Sequence, residues 1–295
     1  MPKVSVILPN YNHEKFLVQR IESILCQDFE DYELIILDDA STDGSRQIFD
    51  TYKTHEKVSH YVINERNSGS TFVQWQKGLA LAKGEYIWIA ESDDYADRNF
   101  LTELVENLDS NPQNGVCFCA SNWIDEKGNV IHSPSHEDET DKWQGNSLIK
   151  NEFLIGNLIY NASSAVFRKS LISKVNFDET TKFKYTGDWF FWVQVSPNIS
   201  ITRIEKRLNF FRRHTNNVSF KSDNEGLQFV EGIKIAQYIF KTEQLSFSKK
   251  RKTMLYWAKK IATTNLANPK RVLEQMPFEI RLYFRILNLF SKNDE

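Results

Sequence analysis

The sequence predicts an α/β protein with a mostly parallel sheet flanked by helices, and three observations indicate this fold class. Short aliphatic and β-branched runs alternate with segments of helical periodicity over the first 125 residues. Polar, turn-forming clusters follow three of these runs, where a buried strand would leave the sheet. The 295 residues are 41% hydrophobic, which is enough for a sizeable core in one large domain or two ordinary ones. Strands that alternate with helices in this way are typical of a sheet covered on both faces.

The individual elements follow from these local patterns. Strands are predicted at Val4–Leu8, Leu34–Leu37, His60–Ile63, Tyr86–Ala90 and Gly115–Ala120. Helices are predicted at Phe16–Leu25, Ser45–Lys53, Thr71–Ala82 and Arg98–Leu108. Beyond Asp125 we expect an exposed acidic loop at Ser133–Lys142, a helix at Leu148–Leu158, and helices after Gly226 that Pro269 and Pro277 interrupt.

The charge is nearly balanced overall but unevenly distributed. A formal net charge of −2 and a pI of about 6.3 argue against a nucleic-acid binder. Residues 249–295 carry eleven Lys or Arg against four acids, so a +7 tail follows a −9 body. Cys26, Cys117 and Cys119 form a sparse, odd set that indicates a reducing compartment. No apolar run reaches the roughly 18 residues of a membrane span, so we expect a cytoplasmic protein.

Three polar clusters come directly after predicted strands: Pro9–Asn12, Asp38–Asp43 and Glu91–Asp94. Ligands of such sheets bind beyond the carboxyl ends of the strands, so we expect the clusters to meet in one crevice. Glu91 and Asp93 alternate along an extended segment and therefore face the same side. Two carboxylates in that arrangement suit a hard divalent cation, Mg²⁺ or Mn²⁺. The alternatives are a solvated turn at Glu91–Asp94 and a helix cap at Asp38–Asp39.

Two further residues have side chains suited to chemistry. Asp188 precedes the aromatic block Trp189–Trp192, and apolar rings beside a carboxylate raise its pKa towards that of a useful general base. The alternative is that Asp188 caps a helix with a core-facing aromatic stripe. His214 follows Arg212 and Arg213 and is suited to contacting a phosphate or a metal ion, although a single histidine is more often structural.

Taken together, these clusters carry a family resemblance. The ordered motifs are Val4-Ser-Val-Ile-Leu-Pro-Asn-Tyr-Asn12, Leu37-Asp-Asp-Ala-Ser-Thr-Asp-Gly44, Asn67-X-Gly69, Gly84-Glu-Tyr-Ile87, Glu91-Ser-Asp-Asp94, Phe177-Asp-Glu179, Gly187-Asp188 and Arg213-His214. Over roughly residues 3–220 the sequence resembles the family 2 inverting glycosyltransferases, in particular the compact bacterial members. The resemblance implies the Rossmann-like GT-A fold. It places a catalytic domain at residues 1–225, with a nucleotide-binding half (1–125) and an acceptor-binding half (126–225), followed by a helical C-terminal extension at 226–295.

The resemblance also implies a role for each matching position. The nucleotide-binding residues would be Pro9, Tyr11, Asn12, Asn67 and Ser92. Asp39 would accept a hydrogen bond from the ring N–H of the base, which favours uracil or thymine. Glu91 and Asp93 stand where the family carries its metal-binding D-X-D motif, and Asp188 matches the catalytic base. The candidate acceptor-binding residues are Trp189 and Asp94.

The implied reaction is a single inverting displacement. A sugar moves from a nucleotide-diphospho-sugar, with a UDP-sugar as the expected donor, to the hydroxyl of a glycan or lipid-linked saccharide. Mg²⁺ or Mn²⁺ would offset the charge on the departing diphosphate, and Asp188 would remove the acceptor proton. The implied setting is the synthesis of bacterial surface polysaccharide or lipopolysaccharide.

Two positions depart from the family pattern. Glu91 replaces the first aspartate of D-X-D and is longer by one methylene, so its metal contact is either direct or through water. Trp75-Gln76 occupies the place of an Arg-Asn pair whose arginine contacts phosphate in most members. The candidate replacements for phosphate or metal support are Lys77, Arg213 and His214, with Arg212 beside them.

Two other functions and two arrangements of the tail also fit the sequence. A non-catalytic sugar-nucleotide or glycan-binding protein would keep the fold without turnover, and a nucleotidyltransferase would share the sheet, the metal and the paired acids.

One stripe of a C-terminal helix is apolar (Ile280, Tyr283, Phe284, Leu287, Phe290) and another is polar and basic (Arg281, Arg285, Asn288, Lys292). Such a helix either packs on the catalytic domain or a second subunit, or lies on an anionic bilayer. The bilayer arrangement would place the protein peripherally at the inner face of the plasma membrane.

Overall fold

The structure is a computed structural model that describes residues 1–214, 226–264, 266 and 269–291. Its strands are β1 (Val4–Asn10), β2 (Tyr32–Asp38), β3 (Val58–Ile63), β4 (Tyr86–Ile89), β5 (Tyr95–Ala96), β6 (Asn114–Ile124), β7 (Val130–His132), β8 (Asp141–Gln144), β9 (Ala165–Arg168) and β10 (Ser200–Arg212). Its helices are α1 (Glu14–Leu25), α2 (Ser45–Tyr52), α3 (Thr71–Leu81), α4 (Phe100–Ser110), α5 (Gly145–Lys150), α6 (Phe177–Thr180), α7 (Gly187–Val195), α8 (Leu227–Thr242), α9 (Phe247–Thr263), α10 (Pro269–Glu274) and α11 (Phe278–Ser291).

The strands form one sheet in the order β3-β2-β1-β4-β9-β6-β10-β5. β3, β2, β1 and β4 are parallel neighbours, and β6 and β10 form a second parallel pair. β9 lies between the two groups and runs antiparallel to both β4 and β6. The short strands β5 and β8 pair antiparallel with β10, and β7 pairs antiparallel with β6. The predicted α/β class with a mostly parallel sheet is confirmed.

β1 and β2 are central strands whose residues are all buried. This explains their continuous aliphatic runs, because a parallel strand covered by helices on both sides has no solvent face. Their register pairs Val4 with Tyr32 and Asn10 with Asp38, so the two strands end side by side. The polar residues that follow the two strands therefore start from the same level at the edge of the sheet.

Alternate side chains of these strands enter two hydrophobic cores, because successive residues of a strand point to opposite faces. Ile7 and Ile35 belong to one core, together with residues of α3, α7, α8 and α9. Val6 and Leu8 belong to the other core, together with residues of α1 and α4. α3 approaches β1 at Gly78, where a Cβ atom would lie 2.3 Å from Ile7 Cγ2. Gly78 thus lets α3 lie directly on the sheet.

The helices after residue 226 share the first of these cores. Trp257 of α9 stacks on Trp189 of α7 with 6.2 Å between the ring centroids, and its indole N–H donates to Leu154 O at 3.0 Å. Pro269 begins α10, and Pro277 directly precedes α11, so both prolines interrupt the helices as predicted. The helical extension is therefore packed on the α/β part of the chain.

The predicted apolar stripe of α11 faces the protein as far as its side chains are described. Ile280 is fully buried, and Tyr283 and Phe284 are partly buried against the same core. The predicted stripe residues Leu287, Asn288, Phe290 and Lys292 lie outside the described side chains. Packing on the protein is thus the observed arrangement for the described part of the stripe. None of the helices in the described ranges has both the length and the apolar composition that a bilayer crossing requires.

The predicted helix Leu148–Leu158 is wrong beyond its first residues. α5 ends at Lys150, because Asn151 leaves the helical conformation with φ −126° and ψ −82°. The Asn151 side chain then donates to Ser147 O at 2.9 Å, which stabilises the end of the helix. A short 3-10 turn at Glu152–Leu154 follows.

The prediction of an exposed loop at Ser133–Lys142 is also wrong in part. The segment contains a 3-10 turn, Ser135–Glu137, and its last residues begin β8. Glu137 is only 2% exposed. Its carboxylate accepts from Ser121 N at 2.9 Å and from the hydroxyl of Tyr160, and these two donors offset the cost of burying the charge.

Candidate active site

A cleft of about 750 Å³ opens where β1, β2 and β4 end. Its walls include residues from all three predicted polar clusters, from the first turns of α3 and from the first turn of α7. The predicted convergence of the clusters is confirmed. The predicted site residues that line the cleft are Pro9, Tyr11, Asn12, Asp39, Asn67, Glu91, Ser92, Asp93, Asp94, Asp188 and Trp189.

Side chains tie the ends of β1 and β2 together. Asn10 Nδ2 donates to Asp38 Oδ1 at 3.1 Å. Asn12 adopts a left-handed backbone conformation (φ +56°), which asparagine tolerates, and its Oδ1 accepts from Thr42 N at 2.7 Å. Asp38 is fully buried by these contacts, so Asp39 is the aspartate of the pair that reaches the cleft.

Asp39 is surrounded by hydrogen-bond donors. Its Oδ1 accepts from Asn64 Nδ2 at 2.6 Å and from Gln74 Nε2 at 2.9 Å. Ser68 donates to both oxygens, through its N–H to Oδ1 at 2.9 Å and through its hydroxyl to Oδ2 at 2.7 Å. Asn67, a predicted nucleotide-binding residue, donates to Oδ2 at 3.2 Å. The carboxylate is therefore held in one orientation by the segment between β3 and α3.

One of these donors can be exchanged for a ligand. The hydroxyl of Ser68 has a second acceptor in Ser70 O at 3.1 Å. A rotation of that hydroxyl would free Asp39 Oδ2 to accept from the ring N–H of a bound base. Tyr11 is 45% exposed and lines the same cleft, so its ring is available for stacking on a planar ligand.

Glu91 and Trp75, the two departures from the family pattern, meet in the structure. Trp75 Nε1 donates to Glu91 Oε1 at 2.8 Å. Burial and the neighbouring charge of Asp93 raise the pKa of Glu91 to about 8. Glu91 thus has a protein partner at the position where the family pattern places a metal ligand.

Both predicted acceptor-binding residues are largely buried. Asp94 is 1% exposed, and its oxygens accept from Asn161 Nδ2 and from Arg212 N, both at 2.9 Å. Burial raises the pKa of Asp94 to about 6. Trp189 is 4% exposed, because its ring packs on Trp257 of the extension. Both residues line the cleft, and both also stabilise its walls.

Two buried arginines offset the charge of the Glu91–Asp94 cluster. Arg20 of α1 is fully buried, with its guanidinium carbon 4.8 Å from the centroid of the Trp88 ring. Burial lowers the pKa of Arg20 to about 10, against the attraction of the acids in the cluster. Arg212 Nε donates to Asp93 O at 2.8 Å. A cluster of buried acids is costly without such counter-charges.

Asp93 lies beside two imidazole rings. Asp93 Oδ2 is 3.1 Å from His214 Nε2, and the rings of His13 and His214 meet edge-on with 5.7 Å between their centroids. Burial alone would raise the pKa of Asp93, but the neighbouring His13 and His214 hold that pKa below its usual value. Burial lowers the pKa of His13. Positively charged imidazole rings would thus favour an ionised Asp93, whereas burial opposes the charge on His13.

The three side chains of this group fit a divalent metal ion. One ligand atom from each of His13, Asp93 and His214 lies within 4.8 Å of the other two. Carboxylate oxygen with imidazole nitrogen suits Mn²⁺ better than Mg²⁺, which prefers oxygen ligands. Of the predicted metal-binding pair, Asp93 belongs to this group and Glu91 does not.

Asp188 is the second residue of α7 and lines the cleft. Burial raises the pKa of Asp188 to about 7, and a hydrogen bond from Asn157 Nδ2 to its Oδ2 at 2.9 Å moderates the rise. The predicted rise in this pKa is confirmed. Thr186 is the residue that precedes the helix, so Asp188 does not occupy the cap position. A carboxyl group with a pKa near 7 can take up and release a proton at neutral pH.

The predicted phosphate-supporting cations lie outside the lining of the cleft. Lys77 is exposed on α3, and its ammonium group donates to Asn64 Oδ1. The guanidinium carbon of Arg213 lies 5.3 Å from the centroid of the Trp123 ring. Among the described residues, Lys184 is the one lysine or arginine that lines the cleft.

Three residues of the site were not predicted from the sequence. His13 directly follows the Pro9–Asn12 cluster, so extending that cluster by one residue would have included it. Arg20 lies in the buried, otherwise apolar face of α1, and a charge in such a stripe is a usable signal. Asn157 gives no local signal, because its contact with Asp188 spans 31 residues of sequence.

Comparison with known sequences supports the resemblance. The profile of the family "Glycosyl transferase family 2" matches residues 5–175, more than half of the chain. The glycosyltransferase GlyG of Streptococcus pneumoniae serotype 4 is 28% identical over 186 residues, 61% of this chain and 61% of GlyG. The poly(ribitol-phosphate) beta-N-acetylglucosaminyltransferase TarP of Staphylococcus aureus is 30% identical over 202 residues, 67% of this chain and 58% of TarP. The match thus spans about three fifths of the length of these relatives.

Comparison with solved structures supports the fold. The crystal structure of S. aureus TarS in complex with UDP-GlcNAc superposes with a TM-score of 0.66 at 18% identity, covering 96% of this chain and 78% of the TarS chain. The predicted GT-A fold is confirmed by this likeness. The profile match includes the polar clusters after β1, β2 and β4, which build the cleft. On this match, the chain belongs to glycosyl transferase family 2.

Proposed function

We propose that this chain is an inverting, metal-dependent glycosyltransferase that moves a sugar from a UDP-sugar to a hydroxyl acceptor. The observation that carries the proposal is the presence of Asp188, with a pKa raised to about 7, in the same cleft as Asp39 and Asp93. A proton acceptor, a carboxylate that recognises a base, and a cation ligand are the groups that such a transfer uses. GlyG and TarP are named as glycosyltransferases, and TarS was crystallised with UDP-GlcNAc, which supports a nucleotide-sugar donor.

The nucleotide would lie along the ends of β1 and β2. Tyr11 would stack on the base, and Asp39 would accept from its ring N–H after the Ser68 hydroxyl turns to Ser70 O. A carboxylate in that position favours a base with a ring N–H donor, such as uracil. Asn67 would keep Asp39 oriented through its bond to Oδ2.

The cation would lie at Asp93, His13 and His214, and the resemblance supports Mn²⁺ or Mg²⁺. Metal ligands must be deprotonated, and the burial of His13 favours its neutral form. A bound cation would neutralise charge that develops on the departing diphosphate. The mixed nitrogen and oxygen donors favour Mn²⁺ of the two ions.

The chemical step is a single displacement. Asp188 takes the proton of the acceptor hydroxyl while the hydroxyl oxygen forms a bond to the anomeric carbon of the sugar. The bond between that carbon and the diphosphate oxygen breaks, and its electron pair leaves with UDP. Because the acceptor attacks from the face opposite to the leaving group, the anomeric configuration inverts.

The acceptor would be a glycan or a lipid-linked saccharide of a bacterial surface polymer. The cleft includes the rings of Tyr160, Tyr185 and Phe211, which are suited to packing against sugar faces. The name of TarP gives poly(ribitol phosphate) as the acceptor of that relative, which supports a surface polymer as the class.

Membrane contact would use the outer face of α11 on the cytoplasmic side. Phe278 is 66% exposed and Leu282 is 44% exposed, and the exposed Arg281 and Arg285 lie beside them on the same helix. Such a face suits an anionic bilayer. We expect the full chain to float with anionic vesicles and to remain in the unbound fraction with neutral vesicles. Equal flotation, or none, would remove this part of the proposal.

The test of the proposed function is the release of UDP from a panel of UDP-sugars in Mn²⁺. We expect the wild type to release UDP and Asp188→Asn to lose about 10²- to 10⁴-fold in rate while it still binds UDP. Asp50→Asn, at an exposed position of α2, is the matched control and should keep the rate. UDP binding by the wild type without any release would favour a non-catalytic binder. Release of pyrophosphate from UTP and a sugar phosphate would favour a nucleotidyltransferase.

A further inference from the structure

A carboxylate of the helical extension binds the chain immediately before Asp188. Glu231 of α8 is 9% exposed. Its Oε1 accepts from Lys184 N at 2.8 Å, and its Oε2 accepts from Tyr185 N and Thr186 N, both at 2.9 Å. The hydroxyl of Thr186 donates to Oε2 at 3.1 Å. Three consecutive backbone N–H groups and one hydroxyl therefore converge on a single buried side chain.

The first turn of α7 is also packed closely between two other helices. A Cβ atom on Gly187 would lie 2.4 Å from Phe72 Cε2, so this turn lies directly on α3. A Cβ atom on Gly232, next to Glu231, would lie 2.9 Å from Trp189 Cζ3, so α8 lies directly on α7. A shift of α8 would therefore move the start of α7 and the side chain of Asp188.

Thr186 supplies no side-chain cap to the start of α7. Thr186 precedes the helix, but its side chain makes no bond to the first helical N–H groups, because its hydroxyl is used on Glu231. A negative charge near a helix N-terminus is stabilised by the helix dipole. Glu231 thus anchors, from a distant part of the chain, the three residues that lead into α7.

We propose that Glu231 is a positioning residue for Asp188, so that the helical extension sets the geometry of the general base. This inference rests on the proposed role of Asp188. By fixing residues 184–186, Glu231 fixes where the carboxyl group of Asp188 meets an acceptor hydroxyl. An error of about 1 Å at a reacting group can cost on the order of 100-fold in rate.

The charge of Glu231 has a second effect. Among the described residues, the other titratable groups that line the cleft with Asp188 are Lys184 and Tyr185 before α7, Tyr160 before β9, Glu91, Asp93 and Asp94 after β4, Asp39 after β2, and Tyr11 and His13 after β1. Glu231 on α8 faces the start of α7 from outside this lining. Of these groups, Glu231 acts on Asp188 directly and raises its pKa by repulsion, in addition to the larger effect of burial. Removal of the Glu231 charge should therefore lower the pKa of Asp188.

The test compares Glu231→Gln, Glu231→Asp and the matched control Glu243→Gln in the full chain. Glu243 follows α8 and also joins the extension to the α/β part, through Lys150 at 3.2 Å, but it lies outside the cleft. The readouts are kcat and its pH profile for the UDP-sugar that the wild type turns over in Mn²⁺, together with Kd for UDP.

Each variant has a different expected result. Glu231→Gln keeps the length and loses the charge, so kcat should fall about 10- to 100-fold, and the acidic limb of the profile should move to lower pH. Glu231→Asp keeps the charge and loses reach, so kcat should fall while the limb stays in place. Both should keep Kd for UDP within about twofold, because the nucleotide does not contact α7 in the proposed arrangement. Glu243→Gln should change none of these quantities.

The outcomes separate this inference from the proposed function. An unchanged kcat and an unchanged acidic limb in folded Glu231→Gln or Glu231→Asp would overturn the inference. If neither variant folds, Glu231 is needed for the fold itself, and the positioning role is likewise overturned. If Asp188→Asn keeps full turnover, the proposed function is at fault. If Asp188→Asn loses turnover and the Glu231 variants do not, only the positioning role fails.

Discussion

The free energy of unfolding of Asp188→Asn, relative to that of the wild type, should increase as the pH rises from about 4 to neutral and above. Burial raises the pKa of Asp188 from the ordinary 3.8 to about 7. The folded chain thus holds this proton to a higher pH than the unfolded chain does. The stabilising contribution of the protonated group is fully present below about pH 4 and is lost as the pH rises through about 7.

The difference between the two pKa values sets the magnitude. About three pH units correspond to about 4 kcal/mol of free energy of unfolding. That value is an upper bound, because Asp188 is partly exposed in the cleft and solvent screens its charge. Asparagine has the same shape, can still accept from Asn157 through its Oδ1, and does not ionise. The free energy of unfolding of Asp188→Asn therefore does not decrease through ionisation at this position as the pH rises.

The assay is urea unfolding of the wild type, Asp188→Asn and Asp50→Asn in EDTA without nucleotide. The stability of Asp188→Asn relative to the wild type should grow by about 1 to 4 kcal/mol between about pH 4.5 and about pH 8. Asp50 is exposed, so Asp50→Asn should show no such growth. A difference between Asp188→Asn and the wild type that stays constant over this range would refute the reasoning, since Asp188 would then ionise as it does in the unfolded chain.

Two further predictions concern the metal group and the Glu91 contact. His13→Ala should weaken the binding of Mn²⁺ in the presence of UDP at least tenfold, measured by electron paramagnetic resonance, while the affinity for UDP in EDTA stays the same. Unchanged Mn²⁺ affinity would exclude His13 as a ligand. Trp75→Phe removes the donor to Glu91 and should lower the free energy of unfolding by about 1 to 3 kcal/mol more than Trp192→Phe does. Trp192 is the matched control, since it is fully buried and its Nε1 has no hydrogen-bond partner in the described structure; equal losses would contradict the prediction.

The strand ends that build the cleft could be predicted because their signals are local. In β1, β2 and β4 a buried run and the polar residues after it are neighbours in sequence, so Asp39 and Glu91 could be placed at strand ends. The end of α5 could not be predicted from hydrophobic periodicity, because the apolar pattern continues past Asn151 while the backbone and side chain of Asn151 end the helix. The burial of Glu137 could not be predicted from the polar composition of its segment, because the two groups that donate to its carboxylate are distant in sequence.

The contacts that complete the site could not be predicted, because they join distant parts of the chain. His214 reaches Asp93 across 121 residues, and Glu231 reaches Thr186 across 45. His214 could be identified as a candidate from its neighbours in sequence, but its partner could not, and Glu231 has no distinctive local pattern. Only the closed fold brings each side chain to its partner. The hydrogen bond between Trp75 and Glu91 could not be predicted either, because these two departures from the family pattern lie apart in sequence and meet only in the folded chain.

The anomeric configuration of the first product tests the central claim most directly, because a single displacement assisted by Asp188 has one stereochemical outcome. Proton NMR during the turnover of an α-configured UDP-sugar, with a saccharide acceptor or with water in its place, distinguishes the two anomers. The proposed mechanism predicts that the β anomer forms first. Initial formation of the α anomer would contradict it, because retention requires a reaction path other than one displacement from the opposite face.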